Sequence, residues 1–413
     1  MSAPAQTAPQ PLAQALPLAC GATLPNRLAK AAMSEQLGTP EGAPSPGLLP
    51  LYRRWGQGGA SLLITGNVMV DGAHISEAGN VVVEGPAHQE ALGQWAAAAR
   101  EGGAQVWVQL NHPGRQTPRA LDPAPVAPSA VPLRVGAGAF APARALESAE
   151  VEALIGRFAT AAAAVCEAGF DGVQLHAAHG YLLSQFLSPL TNQREDAWGG
   201  DPERRRRLLI EVVAATRSAV GPGKAVSVKI NSADFQRGGF SEAEAEGVLR
   251  ALGAAGVDLI ELSGGTYERT VMFDEGLSDR SAAREAFFID FAQRARAATD
   301  VPLMLTGGLR SRAGMVAALE GGAVDVLGLA RPLAVEPELP QRLLADPEAR
   351  AREVRLRTGL ATLDSILPGV WYQAQIKRLA EGLEPEPGLS RARALWGYGL
   401  GHLRAQRLRR GFE

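Results

Sequence analysis

Short apolar runs alternate with longer segments of helical periodicity along most of the 413-residue chain. Eight of the apolar runs have the length and composition of buried strands. These predicted strands are Arg27–Met33, Ala60–Thr65, Gln105–Leu110, Gly172–Leu175, Ala225–Ile230, Val257–Leu262, Val301–Leu305 and Val324–Leu329. The helical segments that follow them are Pro46–Gln57, Pro86–Glu101, Ser148–Glu167, Pro202–Val220, Ser241–Ala255, Ala283–Ala298, Arg312–Glu320 and Glu336–Leu344.

Eight strands that are each followed by a helix favour one closed parallel (β/α)8 barrel, the TIM barrel. An open doubly wound sheet is the rival topology, but the glycine signature expected after its first strand is missing. Two helix starts carry capping signals. Ser148 is expected to cap the third helix, and Ser241 with Glu244 forms a capping box for the fifth.

Three segments lie outside this repeat. Residues 1–17, rich in Ala, Pro and Gln, are expected to form a flexible tail, and residues 18–346 form the barrel domain. Residues 111–147 form a long insertion after the third strand, for which we favour a lid over the barrel mouth and leave a floppy excursion as the alternative. Residues 347–413 form a helical extension that ends in the basic stretch 404–410, and we expect it to pack under the barrel or against a second subunit.

Composition excludes several classes of protein. Apolar residues make up 46 % of the chain and the formal net charge is −2, so neither nucleic-acid nor membrane binding is expected. The two cysteines, Cys20 and Cys166, are far apart, which argues against a disulfide framework or an iron–sulfur cluster. No segment has the pattern of a signal peptide or a membrane span, so a cytoplasmic protein is expected.

The ends of the last two strands carry the features of a phosphate site. Gly307 and Gly308 follow the seventh strand, where missing side chains let backbone N–H groups approach an anion. Ala330 and Arg331 follow the eighth strand. Barrels commonly bind phosphate in these two loops, and a cofactor's phosphate monoester is therefore predicted here. The alternative is a simple glycine turn with an arginine paired to a surface acid.

Polar residues also stand at the ends of other strands. Gln109 ends the third strand, Asn67 follows the second, and Lys229 lies in the fifth. A lysine inside a barrel must find a partner because burying an unpaired charge is costly. Lys229 is consistent with a cation beside an electron-rich ring, with a Schiff-base amine, or with an ion pair to Asp234 or Glu261.

His176, His179 and Tyr181 follow the fourth strand within six positions, where a barrel keeps its chemistry. The His-xx-His spacing occurs in metal sites, but no third ligand is evident on another strand, so no metal is predicted. Two neutral imidazoles could instead bind a carbonyl oxygen that gains negative charge. The phenol of Tyr181, with a pKa of about 10, could then supply a proton.

Three stretches resemble the Old Yellow Enzyme family of FMN-dependent ene-reductases, and the resemblance extends over about residues 20–375. They are Pro25–Met33, Gln109–Arg115 and His176–Pro189, the last continued by Asn192–Gly200. The chain is most similar to the bacterial members with a His-xx-His pair. The resemblance implies a (β/α)8 barrel that binds FMN, with NADH or NADPH as the hydride donor and a small α,β-unsaturated carbonyl compound as the acceptor.

The same resemblance assigns roles to individual residues. His176 and His179 would bind the substrate oxygen, and Tyr181 would protonate the α-carbon in a ping-pong cycle. The residues assigned to the flavin ring are Ala32, Met33, Asn67, Gln109 and Lys229. Those assigned to the FMN phosphate are Gly307, Gly308, Ala330 and Arg331.

Two positions depart from the family pattern. Ser34 stands where some relatives carry a flavin-tuning cysteine, and Gln36 stands where they carry a substrate-facing tyrosine. The redox potential and the substrate preference therefore do not follow from the resemblance. Two rival activities stay open from the residues alone: a Schiff-base lyase that uses Lys229, and a metal-dependent hydrolase that uses His176 and His179.

Overall fold

A closed barrel of eight parallel strands forms the centre of the molecule in the computed structural model, which describes residues 10–133, 135, 138–263, 281–354, 356 and 358–397. Neighbouring strands follow one another in chain order, and the eighth pairs with the first. The strands are β1 Leu28–Lys30, β2 Leu62–Met69, β3 Gln105–Asn111, β4 Gly172–Ala177, β5 Ala225–Asn231, β6 Leu259–Ser263, β7 Leu303–Thr306 and β8 Val326–Leu329. The predicted TIM barrel is confirmed.

Helices lie in sequence between and after the strands, as predicted. They are α1 Leu48–Gly56, α2 Gln89–Arg100, α3 Ser148–Glu167, α4 Pro202–Val220, α5 Glu242–Ala254, α6 Ser281–Ala298, α7 Arg312–Glu320, α8 Leu339–Ala345 and α9 Ala361–Ala380, and one further short helix, Leu182–Leu187, lies between β4 and α4. The bounds of α3, α4 and α7 are those predicted. Others differ by a few residues because an apolar run does not mark where hydrogen bonding begins and ends.

The strand ends show that difference most clearly. β1 is shorter than predicted because the chain leaves the sheet after Lys30 and crosses the barrel mouth. β2 is longer, since its polar end stays paired with β3 through Asn67 and Met69 beyond an irregularity after Ile64. Backbone hydrogen bonds extend β2 where the apolar pattern has already stopped.

One of the two predicted helix caps is wrong. Ser148 is the first residue of α3, and Glu147 is the capping residue, whose N–H donates to the Glu150 carboxylate at 2.8 Å. The Ser148 hydroxyl bonds to Asp196 instead. The predicted capping box of α5 is confirmed, because the Ser241 hydroxyl accepts a hydrogen bond from the Glu244 N–H at 3.3 Å.

An N-terminal hairpin closes the lower end of the barrel. Strands Leu16–Pro17 and Thr23–Leu24 pair antiparallel, and Leu16 and Leu24 join the apolar cluster of the lumen. Leu12, in the short 3-10 helix Pro11–Ala13, is fully buried. The prediction of a flexible tail is therefore wrong for residues 10–17, where apolar side chains hold the segment against the barrel; residues 1–9 lie outside the described ranges.

The insertion after β3 has structure of its own. It contains the 3-10 helix Gly114–Gln116 and a strand pair formed by Val126–Ala127 and Arg144–Ala145. The buried Arg115 guanidinium donates to the carbonyls of Val131 and Pro132, which ties the insertion back to the end of β3. These contacts contradict the floppy alternative, because the described part of the insertion is held by specific hydrogen bonds.

The extension after the barrel contains the helix α9 and a helical stretch at residues 391–397, joined by turns and irregular backbone. Its basic stretch 404–410 lies outside the described residues. Within the described ranges, none of the helices combines the length and the apolar composition that crossing a membrane requires.

Candidate active site

Three neighbouring strands present polar side chains at one level of the barrel mouth. His176 on β4 is in register with Lys229 on β5, which is in register with Glu261 on β6. His179 and Tyr181 follow in the loop after β4, and Tyr181 precedes the short helix Leu182–Leu187. The barrel register therefore brings the predicted catalytic residues to a single corner of the mouth.

The rings of His179 and Tyr181 each stand nearly perpendicular to the ring of His176. The centroid of His176 lies 5.0 Å from that of His179 and 4.8 Å from that of Tyr181, with interplanar angles of 80° and 77°. His179 has a left-handed backbone conformation with φ of 60°, and its N–H donates to the Asn231 side chain at 3.2 Å. This turn folds the second imidazole back towards the first.

Hydrogen bonds restrict which ring nitrogen of each histidine carries a proton. Nδ1 of His176 accepts the Ala178 N–H at 3.3 Å, so the proton of the neutral ring belongs on Nε2. Nε2 of His179 lies 2.8 Å from the Ser263 hydroxyl. If that hydroxyl donates, Nδ1 of His179 carries the proton, and both rings then present one N–H donor.

Both imidazoles are held neutral. Burial lowers the pKa of His176 well below its usual range, and the neighbouring His179 and Lys229 lower it further. The pKa of His179 is lowered well below its usual range by burial and then by Lys229. At neutral pH the pair therefore offers uncharged N–H donors, which can bind a carbonyl oxygen.

Lys229 forms the ion pair that the sequence left as one of its alternatives. Its Nζ lies 2.8 Å from Oε1 of Glu261, with both side chains buried. The other oxygen of Glu261 accepts from Gln174 at 2.9 Å, and Gln174 in turn accepts from Gln109 at 2.8 Å. Sequence reasoning named Lys229 and Gln109 but missed Gln174, which lies on β4 two positions before His176.

A short ledge of backbone at residues 31–37 runs across the mouth after β1 and contains Ala32 and Met33, both half-buried. Glu35 fixes it, since its carboxylate accepts the Gly66 N–H at 2.9 Å and its carbonyl accepts from Gln373 on α9. A Cβ on Gly66 would lie 2.4 Å from the Met33 carbonyl oxygen, so only glycine permits this approach.

A buried cation supports the ledge from below. Lys30 donates to the Ile64 carbonyl at 2.7 Å, lies 3.9 Å from the Glu35 carboxylate, and packs over the Trp55 ring. Burial lowers the pKa of Lys30 to about 8. Tyr52 donates to the same carboxylate. Sequence reasoning missed Lys30 and Glu35, although a lysine within a predicted strand was an available signal.

Asn67 lies next to Gln109 across the β2–β3 ladder. Its side-chain amide donates to the Ser76 hydroxyl at 3.0 Å. Ser34, on the ledge, donates to the Glu77 carboxylate. The loop after β2 therefore supports the side of the mouth where the resemblance assigns the flavin ring.

The predicted phosphate residues meet on the adjoining side of the mouth. Gly307 and Gly308 have φ of 128° and 76° and exposed backbones, and the buried Thr306 hydroxyl beside them has no hydrogen-bond partner within the described chain. Ala330 precedes the 3-10 helix Arg331–Ala334, and the Arg331 guanidinium lies 5.9 Å from the Tyr372 ring centroid.

These residues fit FMN. Backbone N–H groups, an orphaned hydroxyl and a guanidinium form a donor set for a phosphate monoester. The backbone of the ledge and the side chains of Asn67, Gln109 and Lys229 place polar groups around the mouth. A flat ring that carries hydrogen-bonding atoms on one edge matches such a surface.

Comparison with known proteins agrees with this chemistry. A sequence model of the NADH:flavin oxidoreductase / NADH oxidase family matches residues 16–348. The NADH-dependent flavin oxidoreductase iliE of Hypocrea jecorina is 40 % identical over 364 residues, which span 82 % of this chain and 90 % of that protein. The NADH-dependent flavin oxidoreductase nadA of Aspergillus parasiticus is 42 % identical over 352 residues, spanning 81 % and 79 %.

Solved structures share the fold. Morphinone reductase in complex with tetrahydroNAD has 25 % identity and a TM-score of 0.68, with 83 % of this chain and 92 % of that one covered. The Old Yellow Enzyme homologue of Zymomonas mobilis has 24 % identity and a TM-score of 0.68, covering 82 % and 94 %. A 2-naphthoyl-CoA reductase has a TM-score of 0.79 at 22 % identity and is longer, with 58 % of its chain covered.

Proposed function

The chain belongs to the NADH:flavin oxidoreductase / NADH oxidase family and is an FMN-dependent oxidoreductase, and from this premise we propose that it reduces the activated C=C bond of α,β-unsaturated carbonyl compounds. The observation that carries the proposal is the corner where two neutral imidazoles and a phenol meet. Such a set can bind a carbonyl oxygen and supply a proton beside it.

Residues on two sides of the mouth are assigned to bind the two ends of the cofactor. We assign its phosphate to the backbone of Gly307 and Gly308 with Ala330 and Arg331. Its ring is assigned to Ala32, Met33, Asn67, Gln109 and Lys229. When bound, FMN supplies the hydride chemistry, accepting a hydride from NADH or NADPH and passing it to the acceptor. The names of the relatives favour NADH.

His176 and His179 act on the acceptor's oxygen. Nε2–H of His176 and Nδ1–H of His179 donate to it, so the β-carbon becomes electron-poor. Ser263 is part of this assignment, because its hydroxyl must donate to Nε2 of His179 for Nδ1 to carry the proton. The donors are fixed before the substrate arrives and lose little energy to reorganisation.

Tyr181 provides the proton that completes the reduction. Its ring stands against His176, and its side chain is almost fully buried. The phenol O–H breaks, its proton goes to the α-carbon, and solvent restores it afterwards. Tyr181 is assigned as the general acid because its phenol adjoins the imidazole pair, whereas the Ser263 hydroxyl is assigned to donate to His179.

Nicotinamide and acceptor occupy the same place in turn, which makes the cycle ping-pong. The insertion 111–147 borders this place, since Gln116 donates to the His179 carbonyl at 3.1 Å. We assign it the role of a lid that limits access of water during the reaction.

The proposal is tested on the FMN-loaded protein. Absorbance at about 450 nm identifies the bound isoalloxazine. NADH should bleach it without oxygen, and 2-cyclohexenone should restore the colour and yield cyclohexanone. A protein that binds FMN and reacts with NADH but leaves every enone unchanged contradicts the ene-reductase assignment and leaves the family assignment intact.

The two rival activities have their own tests. A Schiff-base lyase would be trapped on Lys229 by borohydride with substrate, and a hydrolase at His176 and His179 would lose activity to chelators. The ion pair with Glu261 disfavours the first, because a Schiff base requires a free amine.

A further inference from the structure

A second group of histidine and carboxylate side chains lies outside the barrel lumen, where the loop after β2 meets the insertion after β3. Asp71, His74 and His112 each direct one ligand atom into this group, and these atoms all lie within 4.8 Å of one another. Asp71 and His112 are buried and His74 is half-buried. The proposed flavin chemistry uses none of the three.

His74 is oriented for coordination by a carboxylate from the insertion. Its Nδ1 lies 2.6 Å from Asp122, so with Nδ1–H donating, the lone pair of the neutral ring is on Nε2. A carboxylate that holds the far nitrogen of a histidine is the usual support of a metal ligand. Asp122 is itself fixed, because its other oxygen accepts the Ala124 N–H at 2.8 Å.

His112 supplies an independent indication of a ligand. Its side chain is 2 % exposed, yet Nε2 has no hydrogen-bond partner within the described residues. The ring centroids of His112 and His74 are 5.2 Å apart. A buried polar atom without a partner costs stability unless something binds it.

We propose that Asp71, His74 and His112 bind a divalent transition-metal ion of the Zn²⁺ class, with water as a further ligand. Two imidazoles and one carboxylate are a recognised ligand set for such ions. The site is independent of the flavin. Its role is structural: the ion joins the loop after β2 to the insertion through His74 and Asp122, and so holds the insertion beside the mouth.

Coordination changes one hydrogen bond of His112. Its Nδ1 accepts the Gly114 N–H at 3.1 Å, which puts the proton of the metal-free ring on Nε2. On binding, the proton leaves Nε2 and another occupies Nδ1, so the ring stays neutral and the Gly114 N–H loses its acceptor. His112 is therefore the ligand whose coordination requires a local change.

A basic side chain competes with the ion. The guanidinium of Arg157 on α3 lies 3.5 Å from Asp71 and 3.3 Å from Glu84. It supplies a positive charge to the carboxylate in the absence of metal. Arg157→Gln should therefore raise the metal affinity, whereas loss of a ligand should lower it. Opposite changes in affinity in these two kinds of variant are expected only for a site that binds a cation.

The experiment uses the full-length FMN-loaded protein, treated with EDTA, desalted, and titrated with Zn²⁺ against a chromophoric chelator. We expect one equivalent to bind and the melting temperature to rise. Asp71→Asn and His74→Gln should abolish that equivalent, and Asp122→Asn should weaken it about 10- to 100-fold. His88→Gln is the matched control, since His88 is an exposed histidine outside the group.

Two outcomes overturn the proposal. One is no more bound zinc in the wild-type protein than in Asp71→Asn, which would leave a buried water as the partner of His112. The other is one equivalent that survives Asp71→Asn and His74→Gln, which would place the ion elsewhere. Arg157→Gln keeps all three ligands, so it tests the site even if a ligand variant fails to fold.

Discussion

Lys229 and Glu261 pair across adjacent strands inside the barrel, with 2.8 Å between Nζ and Oε1 and side-chain exposures of 4 % and 0 %. The pair lies level with His176, whose pKa is lowered first by burial, then by His179 and then by the Lys229 cation. Glu261 makes it possible to bury that cation, and Lys229 adds to the effect of burial in keeping both imidazoles uncharged.

Glu261→Gln should lower the free energy of unfolding by about 3 to 5 kcal/mol, because it leaves the buried ammonium of Lys229 without its counter-ion. Urea denaturation at pH 7 measures the change. Glu203→Gln removes the acid of an exposed helical pair with Arg206 and should cost less than about 0.5 kcal/mol. Equal decreases in the free energy of unfolding of the two variants would mean that the buried pair stabilises the protein no more than the exposed pair does.

Tyr181→Phe should slow reoxidation of the flavin by an enone about 10²- to 10⁴-fold, since it removes the proposed general acid. Reduction by NADH should stay close to the wild-type rate, because that half-reaction needs no proton from Tyr181. Anaerobic stopped-flow separates the two steps. A similar decrease in both rates would contradict the assignment of Tyr181 as the general acid.

His176→Asn should reduce the pH dependence of stability. The folded pKa of His176 is depressed, so below about pH 6.5 the unfolded chain binds a proton that the folded chain does not. The free energy of unfolding therefore decreases as the pH is lowered. Removing the ring should shrink the stability difference between pH 7.5 and 5.5 by about 1.4 kcal/mol. Denaturant titrations at both pH values measure it, and exposed His88→Asn should leave it unchanged.

Arg331→Gln should weaken FMN binding roughly 10- to 100-fold, as expected for losing a charged hydrogen bond to phosphate. Quenching of FMN fluorescence on binding gives the dissociation constant. Riboflavin, which lacks the phosphate, should bind both proteins equally. Arg391→Gln, at an exposed arginine beyond α9, is the control and should bind FMN normally.

Gly66→Ala should disturb the ledge that is assigned to the flavin. The new Cβ would lie 2.0 Å from a Glu35 carboxylate oxygen and 2.4 Å from the Met33 carbonyl oxygen, so the ledge must move. We expect weaker FMN binding and lower stability. Gly156→Ala, in an exposed turn of α3 with open space around it, should instead stabilise by about 0.5 to 1 kcal/mol. Unchanged FMN affinity in Gly66→Ala would contradict the ledge assignment.

The barrel followed from the sequence because eight strands buried on both faces read as continuous apolar runs, which local pattern reveals. Residues at the strand ends followed for the same reason: His176, Lys229 and Gln109 stand out as polar groups where an apolar run closes. The residue that caps a helix was predicted less reliably from the sequence than the strands were. Ser148 is the better capping residue by type, yet the path of the chain into α3 makes Glu147 the cap.

Tertiary structure decided which of these polar groups meet. Glu261 becomes the partner of Lys229, and Asp234 does not, because strand register sets which side chains share a level and register is a property of the closed barrel. The packing of residues 10–17 and the meeting of Asp71 with His112 likewise join segments distant in sequence. Periodicity encodes which face of an element is buried, but contacts between elements depend on how the barrel closes.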